Sequence, residues 1–253
     1  MSKTPNQGVK INSKTGLRET ILDSVGKMLH NKVFDAVLIP MRVPAKDSYA
    51  WILIKDEKLL KDANPIAPIM PVQGAKALSS FLRKGESTLK IAAVMKPCEI
   101  RAAIELSKLN QINIENVTLI SYDCPGAFPI EYYLADPEKG EKEFTEVLTK
   151  LNFHHASIKP VCQICDNFSL LPVSDLHFGL STSGDNSVLL LANSKHGKQI
   201  LQKMKMQASE DVSAWSQNIE KIRQKRLTNK KERFKEIKSM VEGLDSLRDT
   251  FST

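Results

Sequence analysis

The chain has 253 residues, of which 42% are hydrophobic and 26% are charged, and its formal net charge is +7. This is the composition of an ordinary globular protein, and it excludes a collagen-like, low-complexity or disulfide-rich chain. No apolar run approaches the roughly 20 residues that a membrane-spanning helix needs, and residues 1–10 lack the apolar core of a secretory signal. We therefore expect a cytoplasmic protein without a membrane span, in which cysteines stay reduced.

The basic charge is concentrated near the C-terminus. Residues 221–238 contain nine Lys or Arg and two Glu, which leaves 27 basic (36 minus 9) and 27 acidic (29 minus 2) residues elsewhere. A charged helical face is most often solvated surface, and a surface for a protein partner is the second interpretation. Nucleic acid is disfavoured as a partner because the body of the chain is neutral and carries no nucleic-acid-binding motif.

Hydrophobic periodicity and turn residues predict a succession of elements along the first third of the chain. In chain order they are a loose arm over 1–13, a helix over 17–30, strands over 33–39 and 49–55, and a helix over 74–83.

The middle of the chain shows the clearest pattern. Two apolar strands, 89–95 and 117–122, flank a helical segment at 98–110. A helix of this length between two strands indicates a right-handed crossover and parallel pairing. The sequence therefore predicts an α/β fold, with at least one parallel βαβ unit flanked by helices.

The last part of the chain is predicted to contain a charged helix at 136–151, a Pro/Cys loop at 158–166, a hairpin of 176–180 with 187–192, and a long charged helix at 209–247. The long helix carries an apolar stripe at Phe234, Ile237, Val241, Leu244 and Phe251. We expect two parts, an α/β domain over 1–205 and a basic helical extension over 206–253.

The only four cysteines of the chain are candidate metal ligands. Cys98 and Cys124 each follow an apolar strand, and Cys162 and Cys165 form a C-x-x-C motif. The carboxyl ends of parallel strands meet at one edge of a sheet, where α/β proteins bind their ligands. We therefore expect the four thiols to converge on one site.

Two metal centres suit four thiolates, a tetrahedral zinc ion or an iron–sulfur cluster. Structural zinc sites usually consist of two tight cysteine pairs. Here 25, 37 and 2 residues separate successive cysteines, which favours a cluster. The alternative to any metal is that Cys98 and Cys124 are small buried side chains and that the C-x-x-C motif is redox-active or inert.

Four segments of the chain resemble one known family, the β-subunit family of deazaflavin-coenzyme hydrogenases and formate dehydrogenases. They are Met70-Pro-Val-Gln-Gly-Ala-Lys-Ala-Leu78, Val94-Met-Lys-Pro-Cys-Glu-Ile-Arg-Ala102, Asp123-Cys-Pro-Gly126 and Cys162-Gln-Ile-Cys-Asp166. Within the family, the chain is most similar to the branch found beside formate dehydrogenases and heterodisulfide-reductase-like complexes. The resemblance runs from about residue 15 to residue 201.

The resemblance implies an α/β domain that binds FAD and one [4Fe-4S] cluster and that moves electrons between a hydride carrier and iron–sulfur partners. The family's cysteine motifs match Cys98, Cys124, Cys162 and Cys165, which become the expected cluster ligands. The expected FAD contacts are Lys14, Thr15, Gln73, Lys96, Pro97 and Asn186. The turn at Lys14 and Thr15 lacks the double glycine that is common in the family.

Relatives in this family often continue into ferredoxin-like cysteine repeats, and this sequence has none. We therefore expect a separate iron–sulfur subunit, ferredoxin-like or heterodisulfide-reductase-like, to dock on the C-terminal helix. The hydride carrier would be a deazaflavin coenzyme or a nicotinamide, or there would be none and the subunit would serve only as an internal relay. Two alternatives stay open: a zinc-stabilised binding or scaffold module, and a family member that has lost FAD and only relays electrons.

Overall fold

A computed structural model describes residues 7–12, 16–82, 88–150, 152–180 and 187–251, with the side chains of the last helix described to residue 242. Eight strands form its sheet: β1 (Gln7–Ile11), β2 (Ala36–Arg42), β3 (Tyr49–Ile54), β4 (Ile91–Val94), β5 (Val117–Tyr122), β6 (Leu176–Leu180), β7 (Val188–Ala192) and β8 (Glu210–Asp211).

The helices lie between and after these strands. They are α1 (Leu17–His30), α2 (Gly74–Leu82), α3 (Pro97–Lys108), α4 (Ile130–Ala135), α5 (Pro137–Thr149), α6 (Pro160–Gln163), α7 (Lys195–Lys203) and α8 (Ser213–Phe251), with a 3-10 helix at Glu57–Asp62. Within the described ranges, no helix is both long and apolar enough to cross a bilayer.

The strands are ordered β3-β2-β4-β5-β6-β7-β1-β8. The four central strands, β2, β4, β5 and β6, run parallel, and the strands on both sides of them pair antiparallel. The β4-α3-β5 unit is thus the predicted parallel crossover, and β6 and β7 form the predicted antiparallel pair. This confirms the α/β fold class.

Hydrophobic side chains pack on both faces of the sheet. One core cluster lies under α2 and α3, and the other joins α1, α5, α7 and the start of α8. Along β2 the side chains alternate, because Leu38 belongs to the first cluster and Val37 and Ile39 to the second. Strands β4, β5 and β6 are buried throughout, as is typical of parallel strands covered on both faces.

The prediction of a loose arm over residues 1–13 is wrong for residues 7–11, which form β1. Val9 pairs with Leu190 of β7, and Gly8 packs so closely on Leu191 that a Cβ atom there would lie 2.7 Å from Leu191 Cδ2. The segment is short and half polar because it lies near the edge of the sheet, so it lacks the apolar run used to detect strands.

Strand β2 also differs from its prediction, since it continues past Pro40 to Arg42. Its pairing with β4 ends at Leu38, whereas its pairing with β3 continues to Arg42. Pro40 therefore lies beyond the part of β2 that pairs with β4; its carbonyl accepts a hydrogen bond from the Asn64 N–H at 2.8 Å, and its missing N–H leaves no strand ladder broken on that side.

Helix α8 starts inside the packed body and then leaves it. Trp215 and Ile219 belong to the main core, and Arg226 is buried, whereas every residue from 231 to 242 is exposed. The exposed part is about 18 Å long at 1.5 Å per residue. The division at residue 205 stays a prediction, but the first four turns of α8 pack with the residues before it.

Candidate metal centre

Cys98 and Cys124 lie at the same edge of the sheet because β4 and β5 are parallel neighbours. Val94 is paired with Ile120, and Cys98 and Cys124 each lie four residues after one member of this pair. After β4, Pro97 occupies the first turn of α3, and the Glu99 carboxylate accepts a hydrogen bond from the Lys96 N–H at 2.8 Å. This cap fixes where α3 begins and therefore where Cys98 lies.

The C-x-x-C motif packs directly on the loop that follows Cys124. Gly126 has a φ angle of +127°, and a Cβ atom there would lie 2.6 Å from Ile158 Cγ2 and 3.0 Å from Cys162 Cβ. Only glycine allows this approach. The Cys124 N–H also donates to the Phe168 carbonyl at 2.7 Å, which ties the strand end to the chain beyond Cys165.

The four thiols are close enough to affect one another electrostatically. Part of the Cys98 residue is exposed, but the protein atoms packed around its thiol desolvate it; this and the charge of Glu99, opposed by Lys96 and aided by the C-x-x-C thiols, raise its pKa to about 11. Burial raises the pKa of Cys124, and Cys98 and Cys162 add to the shift. Burial likewise raises the pKa of Cys162. Without a metal, these three cysteines are therefore neutral thiols at neutral pH.

Among the described residues, no group of three or more His, Cys, Asp or Glu side chains is close enough together to hold one ion. Four sulfur ligands of one zinc ion lie about 2.3 Å from it and hence close to each other. In a four-iron cluster each thiolate binds a different iron, so the sulfurs lie farther apart.

A buried hydroxyl group at this site has no protein partner. Tyr122 ends β5 and is fully buried, and its hydroxyl makes no hydrogen bond within the described part of the chain. Burial, followed by the charges of Cys124, Glu99 and Cys98, raises the pKa of Tyr122 well above its ordinary range. An unsatisfied buried hydroxyl beside thiols suits a site that receives a hydrogen-bond acceptor, such as a cluster sulfur.

A buried carboxylate beside Cys124 connects the site to α8. Asp123 is fully buried and accepts hydrogen bonds from Trp215 Nε1 at 2.7 Å, from the Leu180 N–H at 2.8 Å and from Ser169 Oγ. His177 Nε2 lies 3.0 Å from the same carboxylate. Sequence reasoning did not single out Asp123, although its place just before a strand-end cysteine was a usable signal.

Three of the six residues expected to contact FAD lie in the described part of the chain. The Gln73 side-chain oxygen accepts hydrogen bonds from the N–H groups of Ala75 and Lys76, at 2.8 and 3.1 Å, and so caps α2. Lys96 is only 4% exposed. Pro97 is buried in the first turn of α3. Lys14, Thr15 and Asn186 lie outside the described residues.

The cleft beside Lys96 is small. It is lined by Tyr49, Trp51, Met70 and other residues of β3 and the 69–72 segment, and its volume is about 10 Å³. Pockets for drug-sized ligands usually measure roughly 300 to 1,000 Å³. The cleft as it stands is thus too small for any part of an FAD molecule.

Comparison with known proteins gives partial relatives and a full-length structural match. No family profile matches the chain. A β subunit of F420-dependent formate dehydrogenase 1 from Methanococcus maripaludis is 30% identical over 125 residues, 46% of this chain and 31% of the relative. The F420-dependent formate dehydrogenase β subunit of Methanocaldococcus jannaschii is 33% identical over 102 residues, 39% of this chain and 25% of the relative. The match thus spans about a third or less of each relative.

A chain of the F420-reducing [NiFe] hydrogenase complex from Methanosarcina barkeri has the same fold. The TM-score is 0.66, and the alignment covers 95% of this chain and 94% of the other. The two are 13% identical, so this match concerns the fold. Together with the two sequence matches, it confirms the resemblance seen in the cysteine motifs. The chain is thus similar in sequence to part of the β subunits of F420-dependent formate dehydrogenases, and it shares the fold of a chain of the F420-reducing hydrogenase complex.

Proposed function

We propose that the chain is an electron-transfer subunit of an oxidoreductase complex and that Cys98, Cys124, Cys162 and Cys165 hold a [4Fe-4S] cluster. One observation carries the proposal. The only cysteines of a 253-residue chain come from three separate segments, and they meet within electrostatic range at the carboxyl edge of the parallel strands. The buried, unpaired Tyr122 hydroxyl beside them supports it.

We propose FAD as the second group, at the same edge of the sheet. Lys96 and Pro97, which lie between β4 and Cys98, and Gln73 at the start of α2 are its candidate contacts. FAD would exchange a hydride with a deazaflavin or nicotinamide carrier, and the cluster would pass single electrons. The chain itself would supply position, burial and hydrogen bonds.

A relay subunit without FAD is the second candidate function. Two observations favour it, namely the small cleft beside Lys96 and the use of the Gln73 oxygen as a helix cap. A flavin assay of the purified protein separates the two candidates, because only the first predicts one FAD for each cluster.

We further propose that the exposed half of α8 binds an iron–sulfur partner subunit. Phe234, Ile237, Met240 and Val241 lie on one helical face and are 44–62% exposed. Basic residues surround this stripe, and they suit an apolar groove with an acidic rim on the partner. The names of the relatives describe subunits of larger enzymes, which supports a partner of this kind.

Single substitutions of the four cysteines test the cluster. Each Cys→Ser variant, purified without oxygen, should lose most of its iron and its visible absorption, because a hydroxyl is a poor ligand for iron in a cluster. Ser169→Ala, which removes a hydroxyl near the site but no thiol, is the control and should keep its iron. Full iron content in all four cysteine variants would overturn the proposal.

A further inference from the structure

Arg226 occupies an unusual position on α8. It is 1% exposed and is one of the largest fully buried side chains that the structure describes, although it lies within the most basic and most exposed helix of the chain. Its neighbours Lys225 and Lys230 belong to the same basic segment, which the sequence alone presents as uniform.

The guanidinium group joins three loops of the cysteine site. Nη1 donates to the Cys165 carbonyl at 3.2 Å, and Nη2 donates to the carbonyls of Pro125 and Phe153, at 2.9 and 3.1 Å. Its central carbon lies 4.3 Å from the ring centroid of Phe168. The side chain thus contacts residues next to Cys124 and Cys165 and holds α8 against both.

These contacts do not neutralise the charge of Arg226. All three acceptors are neutral carbonyls, and no carboxylate of the described residues forms an ion pair with it. Nε is buried and has no hydrogen-bond partner among the described residues. A buried cation without a nearby anion is strongly unfavourable, and proteins pair such charges.

Three cysteines are the groups whose negative charge would act on Arg226. Burial lowers the pKa of Arg226, and Cys124, Cys165 and Cys162 act against that shift. As protonated thiols they are neutral, and as thiolates bound to iron they carry the negative charge that the buried guanidinium lacks.

We propose that Arg226 is, beside the buried Lys96, a counter-cation of the four-cysteine site, stabilising its negatively charged, metal-bound form and raising the reduction potential of the cluster. The proposal rests on the proposed function, since it requires a cluster at these cysteines. One-electron reduction adds one negative charge to the cluster, so a fixed positive charge nearby favours the reduced state. Arg226 is therefore a positioning residue that links the placement of α8 to the electrostatics of the site.

Charge-conserving and neutral substitutions separate this role from a purely structural one. Arg226→Lys keeps the charge but loses the fork of hydrogen bonds, whereas Arg226→Gln and Arg226→Met remove the charge. Arg223→Gln is the matched control, because Arg223 lies one turn earlier, is half-buried, donates to the Asp166 carbonyl and pairs with Glu220.

The first readout is the midpoint potential of the cluster, measured by an EPR-monitored titration of the full chain. We expect a shift to more negative potential in the two neutral variants, and values near wild type for Arg226→Lys and Arg223→Gln. The second readout is iron affinity, for which we expect about a tenfold loss in the neutral variants and a smaller loss in Arg226→Lys.

Two results would overturn the role of Arg226: an unchanged potential in neutral variants that keep their cluster, or equal loss of iron in the lysine and neutral variants. Should both neutral variants fail to fold, iron affinity is compared between Arg226→Lys and Arg223→Gln. If Arg226 acted only through its hydrogen bonds, Arg226→Lys would lose iron severely, and that result would overturn the proposal. A wild-type chain without iron after anaerobic reconstitution would instead contradict the proposed function.

Discussion

At the scale of single residues, the Tyr122 hydroxyl gives the most direct test of whether the site is built for a ligand. In the metal-free protein the hydroxyl is buried and has no partner among the described residues. Removing it in Tyr122→Phe should raise the free energy of unfolding by about 1 kcal/mol, because a buried unsatisfied polar group is costly. Denaturant titration of the metal-free protein measures this.

The matched control is Tyr133→Phe, because the Tyr133 hydroxyl donates to Glu141 at 2.7 Å. That substitution should lower the free energy of unfolding by about 1 kcal/mol. A loss of stability in Tyr122→Phe as large as that in the control would mean that the Tyr122 hydroxyl has a partner and is not reserved for a ligand.

The pKa of Cys98 predicts how its thiol reacts. Burial and nearby negative groups raise this pKa to about 11, so the thiol is neutral at pH 7 and becomes the reactive thiolate only as the pH rises toward 11. In metal-free protein, the rate of Cys98 alkylation should therefore increase about tenfold per pH unit between pH 7 and pH 10. Peptide mapping by mass spectrometry checks this. A rate that levels off below pH 8 would contradict it.

Gly126 controls the contact between the Cys124 loop and the C-x-x-C motif. Gly126→Ala should lower the free energy of unfolding by about 1–3 kcal/mol, because alanine is strained at positive φ and its methyl group would clash with Cys162. It should also weaken iron binding by displacing Cys162. Calorimetry and iron titration measure the two effects.

Gly26→Ala is the control for that substitution. Gly26 lies within α1, and a Cβ atom there would meet only Leu60 Cδ1, at an ordinary 3.6 Å. Alanine should stabilise the helix at this position by up to about 1 kcal/mol. Equal effects at the two glycines would show that the Gly126 contact does not position the cysteine loop.

At the scale of elements, the sequence predicts those with strong periodicity. The bounds of α1 and β5 agree with their predictions, and β4 and α3 differ by one or two residues at each end. Weaker elements such as β1 and α7 were missed, because their residues are mixed in polarity and their stability comes from pairing or capping. Ser194, for example, caps α7 by accepting a hydrogen bond from the Gly197 N–H.

Helix α8 divides into a buried half and an exposed half, and truncation separates their roles. Ending the chain after Lys231 removes the exposed apolar stripe but keeps Trp215 and Arg226. This variant should fold and keep its iron, yet lose association with the partner subunit. Ending the chain after Val212 should abolish folding or iron binding, because Trp215 and Ile219 belong to the core.

A full-length variant controls for the loss of chain in the truncation. Phe234→Asp with Met240→Asp places charge on the stripe and should also prevent association, as measured by co-purification of the complex. Unchanged association in both variants would show that the partner subunit does not dock on the exposed part of α8.

At the scale of the whole molecule, the sheet brings together residues that are far apart in sequence. The convergence of Cys98 and Cys124 was predictable, because two strand ends of a parallel crossover share an edge. The burial of Arg226 was not predictable, since the basic residues around it are alike in sequence and only the packing of α8 selects one of them. Likewise, nothing in the sequence indicates that Trp215 bonds to Asp123.

The central claim is that the four cysteines hold a [4Fe-4S] cluster. The most direct test is anaerobic purification of the full chain, followed by iron, sulfide, zinc and flavin analysis of the same sample. We expect four iron and four sulfide per chain, as a [4Fe-4S] cluster contains. One FAD per chain would support the flavin-containing electron-transfer subunit, and a cluster without FAD would support the relay subunit. Stoichiometric zinc, with no iron bound after anaerobic reconstitution, would contradict the claim and favour the zinc-stabilised binding module.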